Sequence, residues 1–178
     1  MIVISLGANL GHAEGTARDT LEAALAALNG GGVRVAARSR WYRSAPVPPS
    51  GQPDYINGAA LAETQLGPLR LLELMHRIEA DFGRLRGERW AARTLDLDLA
   101  DYHGFTTFNG WRGGRPGPVR TEELCLPHPR AHERAFVLRP LMEIAPHWRH
   151  PVFGLKAEAL LCRYAAGQRC EPLEPEAG

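Results

Sequence analysis

The chain has 178 residues, 44% hydrophobic and 23% charged, which suits one compact domain with a real core and argues against disorder. Its apolar runs fall far short of the ~20 residues a membrane helix needs, and Met1–Leu6 is too short for a signal peptide, so a cytoplasmic location with no membrane partner is expected. A formal net charge of +1 argues against bulk nucleic-acid binding.

Ile2–Leu6 is a short apolar run closed by Gly7 and reads as a buried strand. Leu21, Leu25 and Leu28 recur at helical spacing, and Asn29-Gly30-Gly31-Gly32 stops that helix. Val33, Val35, Ala37, Ser39 and Trp41 alternate with Arg34, Arg38, Arg40 and Tyr42, which predicts one half-buried strand with a basic outer face. Residues 44–53 hold four prolines and form a loop. Tyr55–Thr64 reads as a third strand. Pro68 opens a second helix, whose apolar stripe is Leu71, Met75, Ile78 and Phe82. Arg84–Ala92 is a polar loop. In Thr94–Tyr102, Leu95, Leu97 and Leu99 take one face of a strand and Asp96 and Asp98 the other. Strand, helix, strand, strand, helix, strand is the ferredoxin-like βαββαβ order, an α+β fold whose antiparallel sheet carries both helices on one face. His103–Arg120 is a Gly/Pro/Arg-rich inserted loop. Arg130–Ile144 and Leu155–Ala166 are expected to be C-terminal helical segments. Residues 1–170 then form a single domain and Glu171–Gly178 a frayed, flexible tail.

Lys156 is the only lysine among the 21 basic residues, so a phosphate site here must be built from arginine. No Gly-x4-Gly-Lys-Ser/Thr run is present, which excludes a P-loop enzyme. Cys125, Cys162 and Cys170 have no CxxC spacing and read as reduced thiols, not zinc ligands. The informative stretch is 89–98. Asp96 and Asp98 at i and i+2 of a strand point the same way, with side-chain roots ~6.5–7 Å apart. Two metal ions ~3.5–4 Å apart fit between such groups. Mg²⁺ suits them, because it takes one or two carboxylates and completes its shell with water and phosphate oxygens. An isolated Asp-x-Asp is more often a solvated acidic face. Here Arg84, Arg86, Arg89 and Arg93 lie just before it, opposed in that stretch only by Glu88, and guanidinium forks match phosphate oxygens. Tyr55 and Asn57 share a strand face, where a ring and a carboxamide can stack on and hydrogen-bond to a flat heterocycle. On residue type alone they also suit an ordinary strand start, Phe136 suits core packing and His128 a capped loop.

Taken in order, these residues resemble the 6-hydroxymethyl-7,8-dihydropterin pyrophosphokinases of folate biosynthesis, from Ile2 to about Pro146. The most specific element is Arg-Trp-x-x-Arg-Thr-Leu-Asp-Leu-Asp at 89–98. Gly7-Ala8-Asn9-Leu10, Tyr42-Arg43-Ser44, Gln52 through Asn57, Ile78-Glu79, Leu126-Pro127-His128, Pro140-Leu141 and Glu143-Ile144-Ala145-Pro146 support it. The resemblance implies that the β,γ-diphosphate of ATP moves to the pterin hydroxymethyl oxygen, leaving AMP. It implies two Mg²⁺ ions on Asp96 and Asp98. Arg84 and Arg93 would grip the transferred phosphates, assisted by Arg86, Arg89, His128 and Arg134. Glu79, Trp90 and His76 fall on the nucleotide side, His76 standing where the family often has Gln. Tyr55 and Phe136 would sandwich the pterin, with Ser44, Val47, Asn57 and Trp90 completing its pocket. A monomer acting on ATP and the small pterin is expected, with no nucleic-acid partner. The sequence departs from the family at Glu123, Cys125 and Pro129 around the ATP site, at Ala45 and Ala100, and in the length of the 103–120 loop. Residue type alone leaves two alternatives, a ferredoxin-like nucleic-acid-binding module and an inactive pyrophosphokinase homologue.

Overall fold

The computed structural model describes residues 1–13, 15–47, 49, 51–83, 94–107, 111–112, 115–116 and 124–174. The chain opens with β1 (Ile2–Ala8), every residue of which is buried, as befits a strand covered on both faces. Helix α1 (Ala17–Gly30) starts in a capping box. The Thr16 hydroxyl accepts the Asp19 N–H at 3.2 Å, and the Asp19 carboxylate accepts the Thr16 N–H at 2.8 Å. Such a cap stabilises a helix start by about 1 kcal/mol. Leu21, Leu25 and Leu28 are buried as their spacing predicts. Gly32, at φ +84°, then turns the chain in a conformation that a side chain would strain.

The predicted strand over 33–42 is two strands. β2 (Arg34–Arg38) and β3 (Tyr42–Ser44) both pair with β4 (Tyr55–Glu63), and Ser39–Trp41 separates them. The Ser39 hydroxyl accepts the Ala59 N–H at 3.0 Å, in place of a ladder carbonyl. Trp41 lies over Gly58, where a Cβ would stand 2.5 Å from the ring. A strand glycine here admits the indole that ends the regular pairing.

Helix α2 (Pro68–Asp81) has Pro68 in its first turn and buries Leu71, Met75 and Ile78. β5 (Asp96–Tyr102) pairs with β1. The inserted loop contains a short hairpin of β6 (Trp111–Arg112) and β7 (Arg115–Pro116). The C-terminal part adds α3 (Ala135–Ile144), α4 (Ala157–Leu160) and β8 (Cys170–Pro172). Among the described residues, six strands form one antiparallel sheet in the order β5-β1-β4-β3-β8, with β2 also on β4. This is the ferredoxin-like order with its second strand split and an extra edge strand. Ile4, Leu6, Ala60, Leu97 and Leu99 face α1 and α2 in the main core. Val3, Ala100 and Leu61 pack on the other face against Val137, Leu141, Trp148 and Leu160.

The C-terminal expectations need three corrections. The helix expected over 130–144 opens as a 3-10 turn at Ala131–Glu133 before α3. The one expected over 155–166 is α4 running into a π turn at Leu161–Ala165. Glu171 and Pro172, expected in a frayed tail, instead pair with Arg43 and Tyr42. Three residues carry no strand signal of their own, but the open edge of β3 offers them unpaired backbone groups. Glu143 fastens α3 to that edge, accepting the Arg40 N–H at 2.9 Å and the Tyr42 hydroxyl at 2.8 Å. Burial and this carboxylate push the Tyr42 phenol up to about 12. No helix among the described residues is long and apolar enough to cross a membrane.

Candidate active site

Strand register assembles the site. Gly7 of β1 pairs with Asp96 of β5 on one side and Asn57 of β4 on the other, and Asn57 pairs with Tyr42 of β3. One row to one side, Ser5 pairs with Asp98 and Ala59, and one row to the other side Tyr55 pairs with Ser44. Side chains alternate along a strand, so the two aspartates lie opposite Leu97 and Leu99, on the face that α3 covers. Three strands at ~4.8 Å spacing put the carboxylate end and the carboxamide end of the row about 10 Å apart. Gly7 keeps the strip between them open, since a Cβ there would come 3.2 Å from Asn57 Oδ1.

At the carboxylate end, Arg134 Nη1 donates to Asp98 Oδ2 at 3.3 Å, and His128 Nε2 lies 3.8 Å from Asp98 Oδ1. The His128 N–H donates to the Ala100 carbonyl at 3.0 Å, which ties it to the strand that carries the aspartates. Burial pushes the His128 imidazole below its ordinary value against the pull of Asp98. Burial also lowers the Arg134 pKa, with the Asp98 charge opposing. The same guanidinium lies 5.4 Å from the centre of the Phe136 ring, so Arg134 joins the carboxylate end to an aromatic wall.

At the other end, Asn57 is 2% exposed and its Nδ2 donates to Ser44 Oγ at 2.9 Å. The Tyr55 hydroxyl lies 3.5 Å from Gln52 Oε1, an oxygen that also accepts from Asn9 Nδ2 at 3.1 Å. Phe136 packs beside Tyr42 and Ala135, and Val47 is exposed in the loop after β3.

Two sequence-predicted residues do not join this group. His76 borders a hollow beside α2 with Gly31, Leu66, Arg70 and Arg77. Glu79 is buried, and its Oε1 accepts the Leu97 N–H at 2.8 Å, so it holds β5 by its backbone between the two aspartates. Arg84, Arg86, Arg89, Trp90 and Arg93 lie outside the described residues, as does Glu123. The sequence reads Gly7 as the end of the first strand, whereas it lies inside β1, and neither it nor Asn9 or Gln52 receives a site role beyond its place in a family motif. A glycine inside a strand is a usable signal of close approach. Asn9 and Gln52 look like ordinary loop residues, and only the folded chain brings Asn9 to Gln52, the near neighbour of Tyr55.

Among the described residues, no group of three or more His, Cys, Asp or Glu could hold a metal ion. Two half-buried carboxylates on one strand face fit a hard cation that takes its other ligands from water and phosphate, as Mg²⁺ does, better than a metal caged by protein.

A family profile described as 7,8-dihydro-6-hydroxymethylpterin-pyrophosphokinase (HPPK) matches residues 3–146. The chain belongs to this family. The 2-amino-4-hydroxy-6-hydroxymethyldihydropteridine pyrophosphokinase of Synechocystis sp. is 42% identical over 153 residues, covering 85% of this chain and 70% of the relative. The Haemophilus influenzae protein of the same name is 40% identical over 143 residues, 80% of this chain and 79% of the relative. The solved wild-type HPPK-DHPS of Plasmodium falciparum superposes with a TM-score of 0.68 at 14% identity, over 93% of this chain and 44% of that longer one, a likeness of fold alone. HPPK membership also displaces the nucleic-acid-binding reading, because the match runs through the aspartate strand and the whole βαββαβ unit.

Proposed function

We propose that the row Asp96–Gly7–Asn57, flanked by Arg134 and Phe136, is where this chain carries out the HPPK reaction. That reaction is pyrophosphoryl transfer from ATP to the hydroxymethyl group of 6-hydroxymethyl-7,8-dihydropterin, an ATP-dependent step of folate synthesis. The observation that carries the placement is the reach of Arg134, bonded to Asp98 and seated over the Phe136 ring.

The pterin hydroxymethyl oxygen attacks the β-phosphorus of ATP, the bond from that phosphorus to the oxygen of AMP breaks, and the hydroxyl proton passes to solvent. The substrate hydroxyl is the nucleophile, so no protein group need form a covalent intermediate. Such transfers depend on alignment and charge neutralisation. The pterin lies flat between Tyr55 and Phe136, with Ser44 and Val47 at its rim. Ser44 Oγ accepts one amide hydrogen of Asn57 and the Tyr55 carbonyl lies 3.4 Å from the same nitrogen, which fixes the carboxamide so that its oxygen is the acceptor presented to the heterocycle. The diphosphate runs over Gly7, which has no side chain of its own, toward Asp96 and Asp98. Asp96 and Asp98 would hold two Mg²⁺ ions, which when bound neutralise phosphate oxygens and polarise the phosphorus. Arg134 and His128 face the same phosphates as donors. Arg84 and Arg93 are assigned from sequence as the grip on the transferred group, with Arg86, Arg89 and Trp90 beside the nucleotide. His76 and Glu79 are left out of the ATP contacts, in keeping with their places on α2.

The test is AMP formation from ATP with and without the reduced pterin, in wild type and in Asp96→Asn and Asp98→Asn. Metal-bound charge is worth several kcal/mol, so each variant keeps its circular dichroism but loses at least about a hundredfold in turnover. Near-normal turnover in either variant removes the carboxylate pair from the chemistry. No pterin-dependent AMP from wild type makes the chain an inactive homologue.

A further inference from the structure

The family match ends at residue 146, yet the chain beyond it returns to the proposed site. Helix α3 begins without a cap of its own, because Arg134 at its N-cap position makes no side-chain capping bond. The Ala135 N–H is one of the donors a helix start leaves without an intrahelical partner, and Ala135 is only 1% exposed. Gln168 supplies that partner from 33 residues downstream. Its Oε1 accepts the Ala135 N–H at 2.9 Å, and its Nε2 donates to the Glu133 carbonyl at 2.7 Å. One carboxamide thus holds backbone groups on both sides of Arg134, and the next side chain after Ala135 is Phe136. The following residues make the same connection to the opposite wall. Arg169 pairs with Asp54, the neighbour of Tyr55, and Cys170 pairs in register with Ser44.

We propose that Gln168 is a positioning residue for the reaction, setting the aim of Arg134 at Asp98 and of Phe136 at the pterin. The proposal rests on the placement of pterin and phosphates given above. Arg134 is where the chain passes from a 3-10 turn into α3, at φ −119° and ψ 111°. Side-chain direction at such a junction follows the peptide planes on either side. The two planes here present one donor and one acceptor, and a primary carboxamide answers both, whereas a carboxylate can only accept.

The test uses the full chain. Gln168→Met keeps length and packing but makes neither bond. Gln168→Glu keeps the acceptor and loses the donor. In Gln168→Met the pterin Kd rises and kcat falls, each by about five- to tenfold, while the Kd for ATP alone, to whose phosphates Arg134 is one proposed donor among several, rises by no more than about twofold. Gln168→Glu falls between wild type and Gln168→Met. In a Phe136→Ala background, Gln168→Met changes pterin affinity less than about twofold, because the ring it aims is gone. Three results overturn the proposal: unchanged pterin affinity and kcat in Gln168→Met, ATP and pterin affinities falling together with the melting temperature, or full additivity with Phe136→Ala. If Phe136→Ala and Tyr55→Ala themselves leave pterin binding unchanged, the pterin placement fails, and the role of Gln168 fails with it.

Discussion

Replacing Gly7 with alanine is expected to separate stability from function. Within β1 the change removes a glycine from a strand interior, which by itself stabilises by about 0.5–1 kcal/mol. The new Cβ would stand 3.2 Å from Asn57 Oδ1, so the carboxamide must give by a few tenths of an ångström. Asn57 is buried, and its Nδ2 bond to Ser44 Oγ is 2.9 Å long. A few tenths more carries that bond to the end of the normal range of about 2.7–3.2 Å, forfeiting much of a hydrogen bond worth about 1 kcal/mol. The two contributions nearly cancel in stability. They do not cancel at the site, where the displaced carboxamide is the group proposed to read the pterin edge and the methyl enters the strip over which the diphosphate runs. The expected outcome is a melting temperature within about 5 °C of wild type, with pterin Kd raised about five- to twentyfold and kcat reduced. Thermal melts, pterin titration calorimetry and steady-state AMP formation on one preparation check it. Unchanged pterin affinity and turnover would refute the reasoning. A large fall in melting temperature would show instead that Gly7 acts through folding.

The aromatic walls and the buried histidines give further tests. Tyr55→Ala and Phe136→Ala should each weaken pterin binding by roughly 1–3 kcal/mol through lost stacking and burial, and calorimetry showing no change in either would remove the sandwich. His150 is fully buried against Trp148, His132 and Phe153, and burial, with His132 adding to it, lowers its pKa from 6.5 to about 4. The unfolded chain therefore takes up this proton first as pH falls. The stability His150 contributes is complete above pH 6.5 and is lost toward pH 4, by up to about 3 kcal/mol. Urea unfolding at pH 7 and 4.5 should show the loss in wild type and a shallower one in His150→Asn, which keeps an acceptor for the Val152 N–H. Equal losses in the two proteins would assign the acid sensitivity elsewhere.

Much of this molecule follows from patterns among near neighbours in the chain. Leu21, Leu25 and Leu28 in α1, and Leu71, Met75 and Ile78 in α2, have the spacing of one helix face and are buried accordingly. The alternation that sets Asp96 and Asp98 against Leu97 and Leu99 likewise places both carboxylates on one side of β5 before any partner strand is known. These signals survive in the bare sequence because helical and strand periods are properties of a few consecutive residues. Family motifs added the pairing of those aspartates with Tyr55, Asn57 and Arg134. Other features depend on groups far apart in sequence and left no local trace. Ser39 and Gly58 split a strand whose alternation runs on unbroken, because the split depends on a ladder bond and a ring across the sheet. Cys170–Pro172 becomes a strand only because β3 presents an open edge. Gln168 looks like any loop glutamine until the fold sets it beside the uncapped start of α3. Tertiary structure also decided that Glu79 serves the backbone of β5 and that Arg134 bridges Asp98 and Phe136. Side-chain hydrogen bonds of this kind are satisfied by whichever group the packing of the sheet and helices delivers, and a sequence read residue by residue does not contain that delivery.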